Sequence, residues 1–262
     1  DRILGEAYFL RAFYYFQLTQ VFGDVPLYTK LTPPSELKIP KTPKQVIYQV
    51  ILDDCDKAAL SLPLSYDKSQ VGRATKGAAL ALAAKTQLYA ANFAGVLNYV
   101  NEIKALGIYS LMPDYQDNFR KNTQNNAESV WEIQHTNLEL GVGNSLNQMW
   151  ASKKIPNGYG FCEVTPEYVS EFEPGDPRKK FTIASNNEDY FGYVYKNSFS
   201  STKYSPRKYL QADSTVTQKA DGDINVTNIR YAEVLLWEAE ALAEMGRVQE
   251  EQVPLEQVRT RA

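Results

Sequence analysis

Two stretches of the chain set aromatic rings among amides and carboxylates. NQMWASKKIPNGYGF (147–161) places Trp150, Tyr159 and Phe161 among Asn147, Gln148, Asn157 and two glycines, and NNEDYFGYVYKN (186–197) places Tyr190, Phe191, Tyr193 and Tyr195 beside Asn186, Asn187, Glu188 and Asp189. An aromatic side chain offers a flat apolar surface, and Asn, Gln and Asp supply donors and acceptors around it. Together they can stack on the C–H face of a ring and bond hydroxyls on its rim, a chemistry of recognition in which no bond is made or broken. The competing assignment for each ring is the ordinary core. Glycine and asparagine neighbours place Trp150 and Tyr159 on exposed loops. Trp131, in a run with Val130 and Ile133, and Trp237, inside a helical pattern, are assigned to the core.

Residues for bond-making chemistry are sparse. His135 is the one histidine, which argues against histidine metal sites and a histidine triad. Cys55 and Cys162 have no metal-type spacing, and their pairing is left open. Glu163, Glu171, Glu173 and Asp176 could furnish a pair of glycosidase carboxylates, but 31 acidic residues make such pairs commonplace. GVGN at 141–144 lacks the lysine and the strand-to-helix context of a phosphate loop. Neither a metal nor an organic cofactor is expected.

The chain has 262 residues and a formal net charge of −3, with 44% hydrophobic and 23% charged residues, an ordinary globular composition. The basic spots at 178–180 and 203–208 are short, so no nucleic-acid partner is expected. No run of about 18 apolar residues is free of polar breaks.

The elements that must position these residues read mainly α. Residues 3–22 carry three apolar stripes: Ala7, Leu10, Tyr14, Leu18 and Val21; Phe9, Phe13 and Phe16; Tyr8, Ala12, Tyr15 and Phe22. Such a helix is expected to be buried all round, with Gly23 and Pro26 ending it. Thr42-Pro43-Lys44-Gln45 reads as a capping box opening a helix that Pro63 closes. Helices are predicted over 74–91, rich in Gly and Ala, and over 94–106. From 107 to 227 short apolar runs such as SVWEIQ alternate with turn residues, which predicts loops, a few short strands and a short helix after Thr165. A helix over 228–246 and a last one beginning near Pro254 complete the pattern.

Several segments together resemble the SusD/RagB family of outer-membrane nutrient-binding lipoproteins: EAYFLRAFYYFQLTQVFGDVPL, GRATKGAALALAAKTQLY, VSEFEPGDPRKKFTI and IRYAEVLLWEAEALAEMG, in that order, followed by LEQVRTRA. The resemblance implies tetratricopeptide-like helical hairpins, a SusD-like α/α superhelix, with an irregular loop-rich insert carrying a few short strands. It implies one domain over 1–262, truncated at both ends, with scaffold helices over 1–106 and 228–262 and a ligand-binding insert over 107–227.

The resemblance also implies a noncatalytic protein on the outer cell surface that captures an oligosaccharide and delivers it to a SusC-like TonB-dependent transporter. Membrane attachment would run only through an N-terminal lipid anchor absent from this chain, since Cys55 and Cys162 are both internal. Trp150, Tyr159, Phe161, Tyr190, Tyr193 and Asn157 are the expected carbohydrate contacts. A peptide or other nutrient captured by the same lid mechanism is the alternative; a glycoside hydrolase or a cytosolic helical-repeat adaptor ranks lower.

Overall fold

In the computed structural model, which describes residues 1–138, 141–211 and 221–262, the long apolar helix α1 spans Arg2–Phe22. It stops where Gly23 takes a φ of 68°, with its N–H closing on the Thr19 carbonyl at 3.1 Å. Helix α2 (Lys44–Ser61) follows a Pro-rich connection. Its cap differs from the predicted one. The backbone of Thr42 pairs with Val25, and the Asp24 carboxylate accepts from the Lys44 N–H at 2.8 Å. Asp24, two residues beyond α1, thus caps α2.

Helices α3 (Lys76–Tyr89) and α4 (Phe93–Ala105) fall on the predicted segments, capped by Thr75 and Asn92, which accept from the N–H groups of Ala78 and Gly95. Beyond them lie strand β1 (Ser129–Ile133), α5 (Leu146–Trp150), α6 (Pro166–Ser170), α7 (Pro177–Thr182), and the short strands β2 (Ile183–Ala184), β3 (Asp189–Tyr190), β4 (Tyr193–Val194) and β5 (Ser205–Pro206). Strands β2 and β5 pair antiparallel, as do β3 and β4. Strand β6 (Val226–Arg230) leads into α8 (Tyr231–Glu244), so the predicted helix over 228–246 begins as strand, where β-branched Val226, Thr227 and Ile229 favour extended backbone. The last helix, α9 (Val248–Arg261), starts well before Pro254, which it carries inside. Glu250 and Glu251 suit its first turn by complementing the positive helix end.

The chain divides into two compact units, residues 1–110 with 229–258, and residues 111–228 with 259–262. In the first, α3 packs against α1, α2, α4 and α8. Its Ala78, Ala79, Ala81, Ala83 and Ala84 are fully buried, and small side chains permit that crowding. Gly77 leaves room for Tyr109: a Cβ there would sit 2.0 Å from the Tyr109 hydroxyl oxygen and would force that ring to move.

Helix α1 is not buried on all sides. Phe9, Ala12, Phe13, Phe16 and Thr19 face the core. Ile3, Leu4, Leu10, Tyr14, Leu18, Val21 and Phe22 are exposed, Tyr14 by 62% and Val21 by 71%. A helix lying against α2 and α3 has only one side to bury. The arginine that breaks its apolar pattern is fully engaged: Arg11 donates from Nε and Nη2 to the two oxygens of Asp54 on α2 at 2.6 and 2.7 Å, and from Nη1 to the Thr29 carbonyl at 2.9 Å.

The second unit holds an equivalent pair. Glu128, with 0% exposure, accepts from the Met112 N–H at 2.9 Å, from Asn118 Nδ2 at 3.1 Å, and from both terminal nitrogens of Arg261. Burial along β1 is also a correction. Val130 and Glu132 point inward, Trp131 is half-buried and Ile133 is exposed. Glu132 occupies the inner position because Asn125 N–H and Asn225 Nδ2 bond its carboxylate at 2.9 and 2.8 Å. Trp237 is a core residue, as assigned. Cys55 is buried, Cys162 is exposed and both are free thiols. Among the described residues no helix is long and apolar enough to cross a membrane.

Asp54 is only 1% exposed, so removing its partner strands a buried charge, at a cost of about 3 kcal/mol. Arg11→Met is expected to lower unfolding free energy by about that much in urea titration, and Arg11→Met with Asp54→Leu to recover most of it. A loss below about 1 kcal/mol in the single variant would show that the pair does not hold the α1–α2 hairpin.

Candidate functional site

The aromatic residues named as candidate contacts all lie in the second unit, and the structure sorts them by role. Tyr190 is fully buried at 0% exposure, which withdraws it from the candidate contacts. Its ring packs edge-on to Phe191 and Tyr195 at 5.0 and 5.3 Å, and Tyr195 packs on Phe199 at 5.1 Å. The Tyr190 hydroxyl donates to the Pro206 carbonyl at 3.3 Å, and that of Tyr195 shares a 2.9 Å bond with Ser205 Oγ. Burial pushes both phenols up, so each stays a neutral core group. Ala151, Ile155, Ala184 and Leu210 complete this cluster, and Trp150, expected on an exposed loop, instead ends α5 and packs half-buried against the cluster because its ring finds apolar neighbours there.

A different pair stands in solvent. Tyr159 and Phe161 are 43% and 71% exposed, with ring centroids 5.3 Å apart and planes tilted by 44°. Backbone bonds fix their loop. The N–H groups of Tyr159, Gly160 and Phe161 donate to the carbonyls of Gln148, Ala151 and Met149, each at 2.8 Å. The loop thus returns onto the end of α5 and brings Tyr159 and Phe161 back to the neighbourhood of Trp150.

Its glycines are needed. A Cβ on Gly158 would lie 2.1 Å from the Ser152 carbonyl oxygen, and Gly160 has a φ of +60°. Asn157 is exposed with a φ of 62°, a conformation asparagine tolerates better than most residues. Tyr193, on β4, is 36% exposed, beside a two-residue turn in which Phe191 and Gly192 both have positive φ, the hairpin geometry that matches strand twist.

The sequence reading passed over two further features. Met149, 40% exposed, lies on α5, where its carbonyl accepts from the Phe161 N–H of the bonded loop. Tyr168 on α6, 49% exposed, meets Phe172, just beyond the helix, edge-on at 5.4 Å; their four-residue separation was the available signal.

Two of the carboxylates weighed for catalysis are held away from the state a general acid requires. Glu163 accepts from the N–H and Oγ of Ser201, and the Arg178 guanidinium clasps Asp176, with the closest contact at 2.6 Å. The Ser201 hydroxyl keeps Glu163, and Arg178 keeps Asp176, below the usual carboxylate range, whereas a general acid needs an elevated pKa. Among the described residues no group of three or more His, Cys, Asp and Glu side chains could hold a metal ion.

Comparison with known proteins decides the family. Residues 1–88 match a family described as starch-binding and associating with the outer membrane, and residues 114–262, more than half of the chain, match the SusD family. The chain belongs to the SusD family. The SusD-like protein P38 of Formosa agariphila is 25% identical, over 93% of this chain and 54% of that protein. A SusD-like protein of Bacteroides fragilis matches in structure with a TM-score of 0.88 at 26% identity, over 99% of this chain and 61% of that one. Surface glycan-binding protein A of Bacteroides uniformis matches with a TM-score of 0.85 at 27% identity, over 98% of this chain and 58% of its own. This SusD-family chain thus spans about half the length of P38, and its mainly helical fold is the family's.

Adding a Cβ against a backbone carbonyl forces the loop to move, at a cost typical of overpacking, about 1–3 kcal/mol. Gly158→Ala is therefore expected to destabilise the protein by that amount and to raise amide exchange at Tyr159 and Phe161; unchanged exchange would show that the loop is not fixed in this way. The bonds at Glu163 carry a pH signature. Its folded pKa lies below the ordinary 4.5, so its contribution is fully present above about pH 4.5 and fades as pH falls through the folded value. Exchange at Ser201 N–H should rise in that acidic window in wild type but not in Glu163→Gln; identical profiles would refute the assignment.

Proposed function

We propose that this SusD-family chain binds an oligosaccharide, without catalysis, on the platform formed by Tyr159 and Phe161 with Trp150 at its edge. The observation that carries the reading is a pair of exposed rings held on a loop by three backbone bonds. Exposed aromatic area normally carries a solvation cost, and a rigid loop presents it without the entropy loss of ordering on binding. A pyranose can cover such rings with its C–H face while amides bond its hydroxyls. Asn157 and Tyr193 remain proposed outlying contacts.

The family's description as starch-binding and associating with the outer membrane, and the glycan binding in the name of the Bacteroides uniformis protein, support the same ligand class. In this reading the protein works at the cell-surface side of the outer membrane, attached through a lipid anchor outside the present chain, and passes its ligand to a SusC-like TonB-dependent transporter. The depressed pKa values of Glu163 and Asp176 argue against either serving as a general acid.

A glycan-array screen followed by calorimetry with the best ligand tests the reading. Tyr159→Ala and Phe161→Ala are each expected to weaken binding about tenfold, equivalent to about 1.4 kcal/mol, with no loss of fold. Tyr190→Phe should leave affinity unchanged. Full affinity in the Tyr159→Ala/Phe161→Ala double variant would remove the platform from the site.

A further inference from the structure

The first unit contains a cavity that the platform does not use. It is an open groove of about 620 Å³ lined by residues of α2, α3 and α4, a volume typical of small-ligand sites. Lys76, Leu80 and Gln87 lie along one side of α3, so the groove follows that helix for about 16 Å. Its walls include small or apolar residues, the buried Ala59, Leu80 and Gly95 among them.

The rim is polar. The Tyr99 hydroxyl on α4 donates to Asp56 Oδ1 on α2 at 2.9 Å, tying the two walls together. The phenol is pushed above its ordinary range by burial, then by that bond and by the charges of Asp56 and Glu102, so it remains a donor. The groove is also lined by Asn98, Glu102 and Lys76, whose side chains make no hydrogen bond or ion pair with any described residue. Their chemistry selects a ligand. Two carboxylates against one ammonium leave the lining weakly negative, which disfavours an anion. Carboxylate, carboxamide and ammonium on one rim offer acceptors and donors without a fixed order. A hydroxyl satisfies either kind, whereas a peptide backbone requires them in register.

We infer that this groove is a second saccharide site, binding a neutral oligosaccharide segment through Asn98, Glu102 and Lys76. The inference rests on the reading of this chain as a saccharide binder and adds a site on the helical unit.

The test is amide chemical-shift mapping of the ¹⁵N-labelled protein with malto-, cello-, laminari-, xylo- and chitohexaose, and with a neutral tetrapeptide. At least one hexasaccharide is expected to shift Asn98, Tyr99 and Glu102 saturably, in wild type and equally in Tyr159→Ala/Phe161→Ala. Asn98→Ala/Glu102→Ala, which removes exposed side chains without intramolecular bonds, should weaken that response at least tenfold and spare shifts at Tyr159 and Phe161. Groove shifts without platform shifts would uphold this site and count against the platform. Platform shifts without groove shifts, no shifts with any sugar, or groove shifts with the tetrapeptide alone would overturn it.

Discussion

Each compact unit contains a carboxylate that water scarcely reaches, and each answers it with an arginine. Asp54 is 1% exposed and Glu128 0%. An isolated charge so placed would cost several kcal/mol or more, and only close, well-directed partners make it tolerable. Arg11 meets Asp54 with two parallel bonds and spends its remaining terminal nitrogen on the Thr29 carbonyl. That ties α1, α2 and the connection between them to one point. Glu128 collects a backbone N–H, an amide and a guanidinium, and so holds together parts of a unit with little regular structure. Arg261 also lies over the ring of Tyr115, 5.6 Å from its centroid, which lowers the cost of burying its charge.

The second unit solves a different problem with its backbone. Loops carry recognition residues well only if something fixes them. Here the loop from Ala151 to Phe161 folds back onto the end of α5, and its N–H groups find carbonyls there. That path brings Gly158 so close to Ser152 that no side chain fits, and turns Asn157 and Gly160 to positive φ. The exposure of Tyr159 and Phe161 follows from this path. Ser201 and Glu163 add a similar tie just beyond it.

The aromatic content of 107–227 therefore divides between two uses. Tyr190 and Tyr195 fill a small core in which helices contribute little, and their hydroxyls find partners inside it. Tyr159 and Phe161 contribute almost nothing to that core and stay in water. Rings of the same type, in stretches of similar composition, serve opposite ends because the chain turns differently around them. The family comparisons fit this picture at the level of fold, over nearly the whole chain but only part of each relative.

Much of the architecture was legible in the sequence because it rests on local rules. Helix periodicity located α1, α3, α4 and α8; Gly23 ended the first, Thr165 capped a later one, and the order of segments pointed to the family. Long-range decisions were not legible. Three apolar stripes on α1 look equivalent in one dimension, and only packing against α2 and α3 selects the Phe9–Phe13–Phe16 stripe for burial. Thr42 looked like a cap, yet pairing with Val25 gave that role to Asp24. Tyr190 and Tyr159 share a residue type and similar neighbours, but one is enclosed and the other is carried outward on a bonded loop. The sequence by itself determined the course of the long helices α1, α3 and α4 and which residues are chemically able to recognise a ligand. The tertiary structure decided which of those residues meet water, because burial depends on neighbours that lie far away along the chain.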